Sequence, residues 1–264
     1  MATKTKTGEK AVDKKVITAE ALFEAGAHFG HIARRWNPKI KKFIYDKRGG
    51  IHVFDLEKTA EKLIEAEKAL AELAAEGKRL IVVGTKRQAK TLVEEEAKRL
   101  GVPYISGRWL GGTISNWKQI KQSIDKLISL KEKRENGELK KYTKREQVQF
   151  DKKISRLERI VGGLVSLSSI PEVLVAIDTN RERLAVREMK ESGGVVIGVV
   201  DSNGDPNVLD YPIPMNDDSA AAIELVTRRL MGAIEAGLKS QKATAASDKT
   251  TEAKSKAKVS KNSK

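Results

Sequence analysis

Apolar residues recur along this chain in two rhythms, and the switches between them mark its elements. From Glu57 to Glu76, Ala60, Leu63, Ile64, Leu70, Leu73 and Ala74 fall at helical spacing, and Gly77 stands where a left-handed residue closes a helix. The next run, Arg79-Leu80-Ile81-Val82-Val83-Gly84, is short and apolar, as a strand buried on both faces requires. A second helix follows on Ala89, Leu92, Val93, Ala97 and Leu100, with Gly101 closing it. Val173–Ile177 and Val195–Val200 read as two more buried strands, with a helix from about Arg181 to Glu191 between them. A last long helix is entered at Asn216-Asp217-Asp218, where carboxylates meet the positive helix end, and carries Ile223, Val226, Leu230 and Ile234. Such alternation predicts an α/β fold, an open and mostly parallel sheet covered by helices on both faces.

One segment breaks the rhythm. Trp117, Ile120, Ile124 and Leu127 step by three and four, and after Asn136-Gly137 so do Phe150, Ile154, Leu157, Val161 and Leu164. Two heptad stripes joined by a polar turn predict an antiparallel helical hairpin, a short coiled coil with its Lys and Arg outward. Just before it, Gly107-Arg108-Trp109-Leu110-Gly111-Gly112-Thr113 sets a cation beside an aromatic and turns on paired glycines. The expected organisation is a basic tail over 1–17, an α/β body over 18–113 and 166–238, an inserted hairpin over 114–165 and a Lys-rich tail over 239–264. Both tails read as disordered, because they hold almost nothing to bury.

Charge sharpens this division. The chain has 264 residues and a formal net charge of +15. The first 18 residues carry +3, the hairpin +7 and residues 239–264 +6, which leaves −1 for everything else. A near-neutral body with basic appendages fits a polyanionic partner, since each phosphate neutralised releases condensed counterions. There is no cysteine, which excludes disulfides and thiolate metal sites. The first residues lack the apolar run of a secretory signal, and no stretch reaches membrane-spanning length, so a cytoplasmic protein is expected.

Catalytic and cofactor chemistry finds no support. Gly84-Thr85-Lys86-Arg87 lies between a strand and a helix, where phosphates often bind, but lacks the spacing of a phosphate loop. Asp201-Ser202-Asn203-Gly204-Asp205-Pro206 begins like a calcium loop, then places Pro206 where Gly is needed and Pro212 where a bidentate Glu is needed. It reads instead as an Asx-rich turn built on Asp201, Asn203 and Asp205, as Gly111 and Gly112 build the earlier one. His28 and His31 flank Phe29-Gly30 without a third ligand nearby and read as packed structural histidines; no metal or cofactor is expected.

What remains is basic. Arg34, Arg35, Lys39, Lys41 and Lys42 interleave with Trp36, Phe43 and Tyr45, which predicts aromatics anchored on the body and cations turned outward. Arg108 beside Trp109 is read likewise. Lys86, Arg87 and Lys90 crowd a helix start, adding positive charge to a positive dipole and so favouring anion contact. Lys118, Lys121, Lys144 and Arg145 represent the hairpin.

The segments Leu22–His31 and Trp36-Asn37-Pro38-Lys39, the run Arg108–Thr113, and the pair Asp201–Pro206 and Tyr211–Asp218 together resemble the S-two family of small-subunit ribosomal proteins, in the bacterial and organellar form. The resemblance runs from about Thr18 to Leu238, with two departures: Gly204 stands where cysteine is common, and Asp178-Thr179-Asn180-Arg181 is a looser turn than usual. It implies a flavodoxin-like body with a helical hairpin and binding to small-subunit ribosomal RNA. It also implies neighbouring ribosomal proteins as partners, the large multi-domain protein S-one among them. The residues therefore lead to a structural RNA-binding protein with no enzymatic activity, no small-molecule substrate and no membrane partner. Two rivals stay open at this point: an α/β nucleotide-binding enzyme using the Gly84–Arg87 turn, and a general polyanion or membrane-surface binder acting through its tails.

Overall fold

In a computed structural model the backbone is described over residues 17–259 and the side chains over 17–243. The expectations for residues 1–16 and 260–264 lie outside these described residues.

The main sheet has five strands, all parallel: β4 (Leu80–Val83), β5 (Tyr104–Ile105), β6 (Val173–Ala176), β7 (Val195–Val200) and β8 (Tyr211–Pro214), in the order β5-β4-β6-β7-β8. The order is that of the flavodoxin-like α/β folds, in which the chain builds outward to one side of its first strand and then to the other. β8 escaped the hydrophobic pattern because Pro212 and Pro214 interrupt it. Both are tolerated because β8 is an edge strand, paired only with β7, and needs fewer N–H donors.

Alternate residues of the central strands divide the core in two. Leu80, Val82, Val173, Val175, Ile197 and Val199 face α2 (Leu56–Ala75), α3 (Arg87–Leu100) and α7 (Ala220–Val259), whose Leu63, Leu70, Val93, Ile223 and Leu230 complete one cluster. Gly237 of α7 makes the tight approach to α2 possible, since a Cβ there would come within 2.6 Å of the Ala74 Cβ. Ile81, Val83, Leu174, Ala176, Val196 and Val200 face the other side, against α6 (Arg183–Glu191). The same second cluster takes in Ile120, Ile124, Leu127 and Leu130 of α4 (Trp117–Glu135) and Ile154 and Val161 of α5 (Lys144–Val161).

α4 and α5 run in opposite directions, as Lys131 pairs with Glu158 (2.6 Å) and Arg134 with Asp151 (3.4 Å). Asn136 caps α4, and Gly137 turns the chain with φ +73°. Thr143 then starts α5 with a reciprocal capping box to Glu146. Leu164 lies in a short 3-10 turn after α5 rather than in the helix.

Three differences from the expected organisation stand out. A second, three-stranded antiparallel sheet, β1 (Phe29–Ile32), β3 (Ile51–Phe54) and β2 (Ile44–Arg48), joins the parallel one that the alternating pattern predicts, following the short helix α1 (Ala19–Glu24). Ile17, assigned to the tail, is buried in the first core cluster. The C-terminal segment expected to be disordered continues α7 to Val259. Its Ala243, Ala245 and Ala246 are good helix formers, and extending an existing helix avoids the cost of nucleating one.

Candidate nucleic-acid interface

The basic segment after β1 folds as two 3-10 turns, Ala33–Arg35 and Pro38–Phe43, the second capped by Asn37, whose side chain accepts the Lys39 N–H at 3.1 Å. Tight turns alternate the side chains: Ile40 and Phe43 are buried, Trp36 packs on the same core, and Arg34, Arg35, Lys39, Lys41 and Lys42 are exposed. Tyr45 departs from the anchored arrangement expected of it. It is 73% exposed, because β2 pairs only with β3 and turns most of its residues to solvent. Lys39 is partly neutralised by Asp205 at 2.5 Å.

Arg108 is exposed and Trp109 is buried. The loop that holds them wraps a single carboxylate. Glu188 of α6, 6% exposed, accepts Trp109 Nε1–H (3.3 Å) and the Gly112 N–H (2.8 Å) on one oxygen, and the Ile114 N–H (3.0 Å) on the other. Gly112 sits at φ +90°, where a side chain would be strained, while Gly111 leaves Leu184 just clear. The paired glycines and the tryptophan thus serve the anchoring of α4, and the cation beside them stays outside.

Lys86 does not stand where its sequence context suggested. It caps α3, but only 12% of its side chain is exposed, and its ammonium lies 2.7 Å from Asp217, 2.7 Å from Asp218 and 3.5 Å from Asp178. The acids expected to enter α7 stop short of it; Ser219 precedes the helix, and the acids turn across to the start of α3. Burial alone would lower the pKa of Lys86, but the Asp217 and Asp218 carboxylates outweigh it and hold the ammonium above its ordinary range. Lys86 therefore leaves the set of available cations.

This cluster occupies the crevice between the ends of β4 and β6, the switch point where flavodoxin-like folds place ligands. Asp178 holds a left-handed backbone (φ +71°), with its carboxylate accepting the Arg181 N–H at 3.0 Å. Glu182 accepts the Thr85 N–H at 3.2 Å and the Thr85 hydroxyl, and burial raises its pKa. Asp201 accepts the Asp217 N–H (3.3 Å) and lies 3.0 Å from His31 Nδ1, so the hydrogen bond to Asp201 raises the His31 pKa. Burial, with the Asp178 and Asp201 charges beside it, pushes Asp217 up to about 7 against the pull of Lys86. Three carboxylates around one lysine, those of Asp178, Asp217 and Asp218, repel a phosphate, which counts against a nucleotide at the Gly84–Arg87 turn. His31, Asp201 and Asp217 could each offer one atom to a cation, all within 4.8 Å of one another, a constellation scattered over 186 residues of sequence. His28 instead stacks on Phe23, with ring centroids 4.3 Å apart.

The turn at 201–206 ties elements together. Asp205 caps a short 3-10 turn through the Asn207 N–H (3.0 Å), and the hydroxyl of Ser202 accepts the His31 N–H (2.7 Å). Asn203 faces a cavity beside α6.

Arg87, Lys90, Lys118, Lys144 and Arg145 are exposed and make no ion pair among the described residues, as is true of Arg34, Arg35, Lys41, Lys42 and Arg108. Lys121 pairs with Asp125 at 3.2 Å. α4 and α5 carry further exposed, unpaired cations that the sequence reading did not single out: Lys126, Lys133, Lys152, Lys153, Arg156 and Arg159. Their signal was already in the heptads, since every basic residue off the apolar seam must face away from it. No helix among the described residues is long and apolar enough to cross a membrane. The sequence model of the ribosomal protein S2 family matches residues 22–237, and the chain belongs to that family of structural proteins of the small ribosomal subunit.

Proposed function

We propose that this protein binds small-subunit ribosomal RNA through cations that project from a rigid, nearly neutral α/β body. The observation that carries this reading is the set of exposed, unpaired cations on α4 and α5, continued by Arg34, Arg35, Lys41 and Lys42 and by Arg87, Lys90 and Arg108. Such side chains neutralise phosphates and position folded RNA. Lys39 and Lys121 join them at reduced strength, each sharing its charge with an acid. Within the family role, neighbouring ribosomal proteins, the large protein S-one among them, are its protein partners, and the cytoplasm is its compartment.

Sedimentation of lysate through sucrose gradients at moderate and high salt tests the reading. Co-sedimentation with small subunits, released only by strong salt, is expected, because a protein that neutralises about six to ten phosphates binds several orders of magnitude more weakly as salt rises. Migration at the top of the gradient at every salt concentration would overturn it.

A further inference from the structure

The tip of the α4–α5 hairpin sets an exposed aromatic ring among cations. From Lys140 to Arg145 the chain reads Lys-Lys-Tyr-Thr-Lys-Arg, four cations and no acid. All four cations are exposed, and none makes an ion pair among the described residues. Lys144 and Arg145 open α5, where the positive helix end disfavours a cation unless an anion joins it. Glu146, the next residue, does not supply that anion, because its carboxylate accepts the N–H (2.9 Å) and the hydroxyl (2.8 Å) of Thr143. In the middle of the run stands Tyr142, 47% exposed.

Tyr142 meets Phe150 edge to face, with ring centroids 5.1 Å apart and planes inclined at 61°. Such a contact covers at most one face of the tyrosine ring. The backbone beneath it is fixed. Its N–H donates to the Leu139 carbonyl at 3.2 Å, its carbonyl accepts from Gln147 Nε2 at 2.8 Å, and the neighbouring Thr143 caps α5. A side chain with two torsions on a fixed turn has little freedom to lose on binding. A ring kept only to cover Phe150 would be buried, and its hydroxyl makes no hydrogen bond among the described residues. An open aromatic plane between unpaired cations suits an unpaired base, which stacks on the ring while the phosphates on either side meet Lys and Arg. We propose that Tyr142 is a stacking platform for one unpaired base of the bound RNA, with Lys140, Lys141, Lys144 and Arg145 on the adjoining phosphates. The inference rests on the RNA-binding reading and extends it, since it adds a contact that salt does not screen to a set of contacts that salt weakens.

Fluorescence anisotropy of the full chain over a salt series provides the test, with a labelled adenosine hexamer and the same hexamer lacking its central bases. The wild type is expected to bind the intact hexamer roughly tenfold more tightly, the scale of one base–aromatic stack. Tyr142→Leu should abolish that difference without changing the salt slope, and Tyr142→Phe should keep it. The double change Lys140→Gln and Lys141→Gln should instead lower the slope for both hexamers. Leucine still covers Phe150, so an unchanged thermal midpoint will show that the lost difference does not reflect unfolding. Equal binding of the two hexamers by the wild type overturns the inference, as does a difference that survives Tyr142→Leu. Equal weakening of both hexamers by Tyr142→Leu also overturns it, because the ring would then act by packing rather than stacking. So does a Tyr142→Leu chain that binds RNA as before but loses a neighbouring protein from the small subunit, which would assign the ring to a protein contact. Failure to bind either hexamer by a chain that still sediments with small subunits removes the stacking site alone; loss of sedimentation removes the RNA reading itself.

Discussion

Two buried carboxylates show how much rests on single residues. Glu188 closes the loop ahead of α4 by accepting an indole N–H and backbone N–H groups from Gly112 and Ile114. Replacing it with alanine strands those donors in the protein interior, so Glu188→Ala should cost roughly 3–5 kcal/mol in urea unfolding, and Glu188→Gln less because one acceptor remains. An unchanged denaturation midpoint would refute the anchoring role. Asp217 makes a different prediction. In the folded chain it keeps its proton up to about 7, against 3.8 when exposed, so over that window the folded state binds more protons than the unfolded one. Stability attributable to Asp217 therefore falls as pH rises. His31, whose folded pKa is raised, works in the same direction, its contribution being lost as pH climbs through the folded value. Asp218, held low by Lys86, acts in the opposite sense, but only in acid. The thermal midpoint should accordingly decline between pH 5 and pH 8, and Asp217→Asn should flatten the slope. A midpoint that climbs over the same window would reject this assignment.

At the scale of elements, legibility followed the source of the information. The strands Leu80–Val83, Val173–Ala176 and Val195–Val200 were readable because both of their faces are buried, so every residue is apolar and the run is unmistakable. β8 was hidden by its prolines and β2 by its charges, because edge strands are specified by their partners more than by their own composition. The seam residues of α4 and α5 were legible as heptads, whereas Leu139, buried in the turn between them, belongs to neither stripe. Lys86 was misread for a related reason. Its setting at a helix start is local, while Asp217 and Asp218, which pair with it, lie 131 and 132 residues further along the chain. The cations of α4 and α5 escape that fate because their neighbours along the helices are mostly basic as well. Changing Lys118, Lys126, Lys133 and Arg145 together to glutamine should lower the salt slope of RNA binding by roughly 0.7–0.9 for each phosphate that is no longer neutralised. Their exposure predicts little change in stability. A slope equal to that of the unaltered chain would place the RNA elsewhere.

The whole molecule separates rigidity from charge. The body sums to about −1, while the appended segments carry the excess of a chain whose net charge is +15. Two sources of affinity can therefore be told apart by removal. Residues 1–16 and 244–264 add positive charge, and among the described residues the packed core begins at Ile17 and reaches Leu238. Lys239 still pairs with Glu235 at 2.6 Å, and Gln241 lies beside Gly77, so a cut after residue 243 leaves the packed part of α7 intact. If the terminal segments bind RNA as a diffuse polycation, the trimmed chain 17–243 will lose its association with small subunits at all but the lowest salt. If the cations fixed on α4, α5 and the 34–42 turns carry recognition, the trimmed chain will still co-sediment. Its complex should then dissociate at a lower salt concentration, because fewer counterions are released on binding. The shape of the salt titration is thus more informative than its midpoint: a shallower line with retained binding supports recognition by the folded body, and abolished binding assigns the function to the tails.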